Sequence, residues 1–179
     1  MRKIIAFIAM GVTMILGACN AGVAQYAQEK PEMSMEEFFN GPIKGWGIVQ
    51  DRKGKVVRRF DVEMNGTWDG DKGELKEKFV YYDGEEQERV WKITRTAEGR
   101  YTGAAGDIIG NAEGQVSGNA VRWKYKMDLK VGNSTYRITF DDWMFRMNDG
   151  ILINKSYLKK FGITVAELTL FMQKQPEEK

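Results

Sequence analysis

Few residues in this chain could carry chemistry, and the most distinctive is Cys19, the only cysteine among 179 residues. It follows Leu16-Gly17-Ala18 at the end of an apolar run that begins after Arg2 and Lys3. A basic start, a short apolar segment and small residues at a cleavage point are typical of a secretory signal peptide. A cysteine directly after them matches the bacterial lipobox, whose thiol becomes the thioether of a diacylglyceryl group. We therefore expect a lipoprotein signal peptide over residues 1–18 and lipidation at Cys19.

Two alternatives compete with the lipobox: an ordinary signal peptide, or a buried core segment that happens to contain a cysteine. The apolar run from Ile4 to Leu16 is shorter than the ~20 residues that span a bilayer. Asn20 differs from the aspartate that commonly retains lipoproteins at the inner membrane. We therefore expect a lipid-anchored protein of the cell envelope, at the outer membrane and facing the periplasm.

The composition excludes several kinds of catalysis and of partner. The chain has no histidine, which excludes Ser-His-Asp and Cys-His catalysis and His-based zinc sites. Removing Arg2 and Lys3 with the signal peptide leaves 25 of the 27 basic residues against 25 acidic ones, so no basic face for nucleic acid is expected. We expect no cofactor, no metal and no enzymatic activity; an enzyme would have to use carboxylates, Lys or Tyr.

From Ile43 onward, apolar and polar residues alternate with a period of two. The clearest stretch is Val121–Val131, in which every second residue is apolar and the residues between are charged. This pattern predicts a strand with one buried face. Several such strands are joined by tight-turn signals such as Asp83-Gly84 and Gly132-Asn133. A sandwich is one alternative. A membrane-spanning barrel is another, but its outer face would carry too many charged residues to contact lipid. The long strands in an up-and-down order favour an all-β, up-and-down antiparallel β-barrel.

The pattern also predicts how the chain is divided. Residues 19–33 are mostly small or polar and are expected to form a lipidated tether. A single barrel domain follows over 34–174, and 175–179 are expected to be a disordered tail. Ser34 and Glu37 form a capping box that predicts a short N-terminal helix from Met35 to about Asn40. A second short helix or a turn is predicted over Asn154–Gly162.

Charged residues at inward-facing positions are the candidates for ligand binding. Arg58 and Arg89 lie in register with apolar neighbours on their strands. A buried guanidinium needs a partner. That partner could be the carboxylate of a bound fatty acid, or Glu77 or Asp142 of the chain itself; exposure at the barrel rim is the third possibility. The candidate ligand-binding residues are Arg58, Arg89, Trp91, Trp123, Tyr125, Phe140 and Asp142.

The alternation changes parity at Asp141-Asp142. A β-bulge there would return the apolar residues on both sides to one face. The alternatives are a corner in a bent strand, or two carboxylates presented at the barrel mouth. Neighbouring strand residues point to opposite faces, so a shared calcium ion or acid–base pair is not expected.

Several separated motifs resemble one family. They are Phe39-Asn40-Gly41-Pro42, Gly45-Trp46-Gly47, Gly66-Thr67-Trp68, Phe140-Asp141-Asp142-Trp143-Met144, and Leu152-Ile153-Asn154 followed by Lys160-Phe161-Gly162-Ile163. Together they resemble an uncharacterised family of Gram-negative lipoproteins, domain of unknown function 3833, over Met35–Lys174. The resemblance implies a fold similar to lipocalins and fatty-acid-binding proteins, with membrane lipid as a partner.

Three functional hypotheses follow. The first is a lipid-anchored barrel that binds an apolar ligand, a fatty acid or a phospholipid. The second is a structural or interaction lipoprotein of an envelope complex with a filled core and no ligand. The third is a lipid-acting enzyme that uses Asp141 or Asp142. An empty interior of several hundred Å³ would favour the first hypothesis, and a packed interior the second.

Overall fold

Ten antiparallel strands close into a single barrel in the computed structural model, which describes residues 22–176. Each strand pairs with its neighbours in sequence, and the last strand pairs with the first. The all-β up-and-down barrel predicted from the alternation is therefore confirmed. The strands are β1 (Gly41–Asp51), β2 (Val56–Asp69), β3 (Lys72–Tyr81), β4 (Glu86–Ala97), β5 (Arg100–Ala104), β6 (Ile108–Ser117), β7 (Ala120–Val131), β8 (Ser134–Arg146), β9 (Ile151–Lys160) and β10 (Ile163–Lys174).

The β7–β8 hairpin shows how the sequence pattern becomes structure. Its register runs without interruption from Val131 opposite Ser134 to Ala120 opposite Phe145. The turn passes through Gly132, whose φ of 59° favours glycine. Along the first four apolar positions of β7 the side chains are buried, and the charged residues between them are half-buried or exposed. The interior is thus built from one face of each strand.

The predicted helix or turn over Asn154–Gly162 is wrong, because most of this segment is the strand β9. Its inward-facing residues include Asn154 and Ser156, which are buried, together with Leu158. Small polar residues on the inner face conceal the alternation that would otherwise predict a strand. Asn154 is satisfied by donating from Nδ2 to the carbonyl oxygen of Trp143 at 3.0 Å.

The predicted bulge at Asp141-Asp142 is also wrong. Strand β8 pairs with both neighbours here without a shift of register, so Asp142 faces the interior and Asp141 faces outward. Trp143 and Phe145 also face outward, where Tyr26 covers them with ring centroids 6.0 and 5.3 Å away. The apolar residues change parity at this point because the outward face of β8, and not only its inward face, is buried from here on.

The N-terminal segment covers the barrel along one side and at one end. A 3-10 helix over Val23–Tyr26 lies against the outward face of β7 and β8, with Val23 buried in a small cluster that includes Ala120 and Trp143. Met33 is buried in the main core. The described part of the segment expected to be a tether therefore packs on the barrel.

Helix α1 (Met35–Phe38) begins at the predicted residue, ends about two residues earlier than predicted, and closes one end of the barrel. Ser34 accepts a hydrogen bond from the Glu37 backbone N–H at 3.1 Å. Phe38 and Phe39 are buried, and Trp68 donates from Nε1 to the carbonyl oxygen of Phe39 at 3.1 Å. The helix and Phe39 together form a plug beneath the interior.

Some predictions concern residues outside the described range. The signal peptide over 1–18, the lipidation site Cys19 and the last three residues of the expected tail lie there. Gln175 is described and donates from its backbone N–H to the carbonyl oxygen of Pro42 at 2.9 Å. Between residues 22 and 176, no helix is long and apolar enough to cross a bilayer.

Candidate functional site

A cavity of about 120 Å³ lies inside the barrel above the plug. Most of its lining is apolar, with aromatic rings on one side and flexible methionines distributed around it. Drug-sized ligands usually occupy ~300–1,000 Å³, so this cavity is small. The residues that line it include Phe39, Met64, Glu77, Arg89, Trp91, Trp123, Tyr125, Met144, Leu168 and Met172.

An aromatic wall is formed by four of the predicted ligand-binding residues. Tyr125 stacks on Phe140 with ring centroids 4.9 Å apart and planes inclined by 7°. Trp91 meets the same tyrosine edge-on at 5.4 Å. Trp123 packs flat over Gly114, where a Cβ would lie 2.7 Å from the indole ring. The four residues come from β4, β7 and β8, and of these Phe140 does not border the cavity itself.

Arg89 is the basic residue of the cavity, and it is paired with carboxylates of the protein. Its Nη2 lies 2.7 Å from Asp107, and its Nη1 lies 3.8 Å from Glu77. The indole Nε1 of Trp91 donates to Glu77 at 3.2 Å. The internal pairing of Arg89 with Glu77, which the sequence left as one alternative, is therefore present.

The two buried carboxyl groups of the interior have raised pKa values. Burial raises the pKa of Glu77 from 4.5 to about 7, although Arg89 and the Trp91 N–H partly oppose the shift. Burial likewise raises the pKa of Asp142 from 3.8 to about 6, opposed by the hydroxyls of Ser156 and Tyr125 and by the charge of Arg89. The interior therefore holds two carboxyl groups whose ionisation near neutral pH is opposed by their burial.

Several acceptors inside the barrel lack a well-aligned hydrogen-bond partner. They are Oδ1 of Asp142, Oγ of Ser156 and Oδ1 of Asp107. Asp142 and Ser156 are more than nine-tenths buried and lie opposite each other on β8 and β9. The hydroxyls near Asp142 influence its pKa, but Oδ1 still has unused acceptor capacity.

Arg58 does not border the cavity. It lies at the rim, where its guanidinium contacts Asp83 at 3.0 Å and Glu85 at 2.5 Å. The same group sits 3.6 Å from the ring centroid of Tyr81. The structure thus brings together six of the seven predicted ligand-binding residues and separates Arg58 from them.

Asp141 belongs to a different site on the outer surface. It accepts from Arg122 at 2.7 Å and from Lys159 at 2.6 Å. These cations lower its pKa from 3.8 to about 2 although burial acts to raise it. Asp141 and Asp142 therefore do not converge on one substrate, and the described residues 22–176 contain no acidic cluster suited to a metal ion.

Sequence reasoning missed Asp107 and Ser156 as members of the interior cluster. Asp107 lies in the turn between β5 and β6, where no alternation of apolar and polar residues indicates which way its side chain points. Ser156 was assigned to a helix or turn. Glu77 had a usable signal, because it shares its parity with Phe79 and Tyr81 on β3.

These features define a class of protein: a closed, lipocalin-like antiparallel barrel with a small apolar cavity and a buried ionic cluster. The chain belongs to the family described as "Protein of unknown function (DUF3833)", whose model matches residues 12–174. The family resemblance predicted from the motifs is therefore confirmed.

A solved structure shares the fold. It is the S-type phycobiliprotein lyase CPES from Guillardia theta, with a TM-score of 0.55 and 9% identity. The alignment covers 81% of this chain and 95% of that one. No curated protein matches the chain in sequence.

Proposed function

We propose that this protein is a lipid-anchored envelope lipoprotein that binds an apolar ligand inside its barrel. The ligand class is a lipid whose alkyl or acyl chain enters the interior, as in a fatty acid or phospholipid. The anchor is a diacylglyceryl group on Cys19, and the proposed location is the outer membrane, facing the periplasm. The observation that carries the proposal is a cavity left open among apolar side chains that could otherwise have packed together.

The wall of this cavity can adapt to a ligand whose alkyl or acyl chain needs more space than the present volume. At ~30 Å³ per water molecule, about 120 Å³ holds roughly four waters. Met64, Met144 and Met172 line it, and methionine changes its rotamers at little cost. Movement of these side chains extends the space without breaking a hydrogen bond.

Fold similarity supports the proposal at a coarse level only. The solved relative is named a lyase of phycobiliproteins, and it carries a barrel of the same kind. At 9% identity, the shared property is the architecture. Barrels of this architecture commonly enclose apolar molecules.

The test uses the mature chain with Cys19→Ser, exported from its own host by a cleavable signal and purified without detergent. Native mass spectrometry followed by lipid extraction should find a defined adduct. Leu168→Phe should remove the adduct, because Leu168 lines the cavity and the larger ring would occupy it. Thr169→Phe, one residue away on the outward face of β10, is the matched control and should retain the adduct.

A second candidate is an interaction lipoprotein of an envelope complex with no ligand. The small volume of the cavity favours it. A bare mass in the same experiment, unchanged after incubation with fatty acids and phospholipids, would support this candidate and reject lipid binding.

A further inference from the structure

We infer that the barrel selects amphiphiles whose polar end donates hydrogen bonds or carries positive charge, and discriminates against alkyl carboxylates. The inference rests on the proposed function and narrows its ligand class, since it disfavours a fatty acid and favours a lipid whose head group donates hydrogen bonds or is positively charged. It follows from the charges around the cavity and from buried acceptors near it that lack a well-aligned hydrogen-bond partner.

Carboxyl groups outnumber basic groups around the cavity. Arg89 is the one basic residue that lines it within residues 22–176. Three carboxyl groups surround that guanidinium or act on it: Glu77 at 3.8 Å, Asp107 at 2.7 Å, and Asp142. Together these three carboxyl groups can carry more negative charge than the single guanidinium neutralises.

An incoming carboxylate would meet an arginine that is already occupied. To bind Arg89 it would have to displace Asp107 or Glu77, leaving that group buried without its partner. Such a loss is costly in a medium of low dielectric constant. The carboxylate would also add a further negative charge near Glu77 and Asp142.

A donor group has the opposite effect. Oδ1 of Asp142 and Oγ of Ser156 are buried acceptors without a well-aligned partner. Leaving such acceptors unpaired destabilises the protein, and a ligand N–H or O–H would satisfy them. An ammonium group would in addition offset the excess of carboxylates.

The path to these acceptors runs past the aromatic wall. Asp142 and Ser156 do not border the cavity themselves; Asp142 lies behind Tyr125, which borders the cavity and whose hydroxyl is close enough to lower the pKa of Asp142. The alkyl chain would therefore lie among the methionines, with its polar end directed towards Tyr125 and Glu77.

The experiment compares octylamine, octanol and octanoate, which share one chain and differ in the head group. Their affinities for the mature Cys19→Ser chain are measured by calorimetry at neutral pH. We expect octylamine to bind at least about tenfold more tightly than octanoate, a ratio that corresponds to ~1.4 kcal/mol. Octanol should lie between them.

Three variants locate the selectivity. Asp142→Asn and Glu77→Gln should each reduce the ratio of amine to carboxylate affinity, while Glu88→Gln, an exposed acid next to Arg89 on β4, should leave it unchanged. Ser156→Ala removes one acceptor that lacks a well-aligned partner, with little change of volume, and it provides the test if the carboxyl variants fail to fold. It should weaken octanol and octylamine more than octanoate.

The outcomes separate the two proposals. Octanoate binding as tightly as octylamine would overturn the head-group inference and leave lipid binding supported. Failure of all three to bind, with a folded protein confirmed by its thermal transition, would overturn both. A preference for octylamine that survives Asp142→Asn, Glu77→Gln and Ser156→Ala would also overturn the assignment to this cluster.

Discussion

At the scale of single residues, the ionisation of Glu77 makes the stability of the folded protein depend on pH. Its pKa is raised from 4.5 to about 7 in the folded protein, so the folded state retains a proton that the unfolded state releases between these values. The free energy of unfolding should therefore fall as pH rises from about 4.5 to about 7. Asp142 acts in the same direction between 3.8 and about 6.

We expect the protein to be less stable at pH 8 than at pH 5. Because one pKa unit corresponds to ~1.4 kcal/mol, the contribution of Glu77 is on the order of 3 kcal/mol. Urea unfolding at a series of pH values measures the effect. Glu77→Gln should flatten the curve and Glu88→Gln should not; equal slopes in both variants would contradict the assignment.

Asp141 has the opposite pH dependence on the outer surface. Its pKa is lowered from 3.8 to about 2 through Arg122 and Lys159, so its contribution to stability is present above about pH 4 and is lost as pH falls towards 2.

Asp141→Asn removes the partner of two partly buried cations and should cost on the order of 3 kcal/mol at neutral pH. The cost, measured by urea unfolding, should shrink near pH 2. A loss of equal size at both pH values would show that packing, and not charge, is responsible.

At the scale of elements, the plug leaves little room for change where it meets β2. Gly66 on β2 lies directly against it, because an added Cβ would be 1.8 Å from the carbonyl oxygen of Phe39. That oxygen also accepts from Trp68, so it is fixed on both sides. The close approach explains the glycine in the Gly66-Thr67-Trp68 motif.

Gly66→Ala should displace the plug and destabilise the protein by roughly 2 kcal/mol, within the usual range for overpacking. The expected signs are a lower thermal transition and increased binding of an apolar fluorescent dye. Gly106→Ala is the control, since nothing lies within 4 Å of an added Cβ there. A Gly66→Ala protein with an unchanged transition would show that the plug is free to move.

At the scale of the whole molecule, the 3-10 helix sets where an anchor would attach. The described chain begins at Gly22, beside the outward face of β7 and β8, three residues after Cys19. A diacylglyceryl group on Cys19 would hold this side of the barrel close to the bilayer.

We expect the wild-type protein to partition with membranes and to incorporate radiolabelled palmitate. Cys19→Ser should abolish the labelling and leave the protein unanchored, because no other thiol is available. Fractionation of inner and outer membranes then tests the location. Labelling that persists in Cys19→Ser would reject the lipobox interpretation.

Sequence and structure contributed differently to the candidate site. The alternation on β4 and β7 is enough to predict that Arg89, Trp91, Trp123 and Tyr125 point inward, because side chains of equal parity lie on the same face of a strand. The partners of Arg89 could not be predicted, because Asp107 comes from a turn. The interior position of Ser156 was also missed, because the small polar residues of β9 interrupt the hydrophobic pattern.

The amino-acid sequence by itself determined most of the strands, the up-and-down order that favours a closed barrel, the capped N-terminal helix and the family, because each depends on local periodicity, on short turns or on a contiguous motif. Tertiary structure alone decided which of Asp141 and Asp142 faces the interior, which carboxylates surround Arg89, and how little space remains inside. Those properties arise where strands distant in sequence meet: the outer face of β8 is buried only because Tyr26 covers it, and Asp142 faces Ser156 only because β8 and β9 pair in that register.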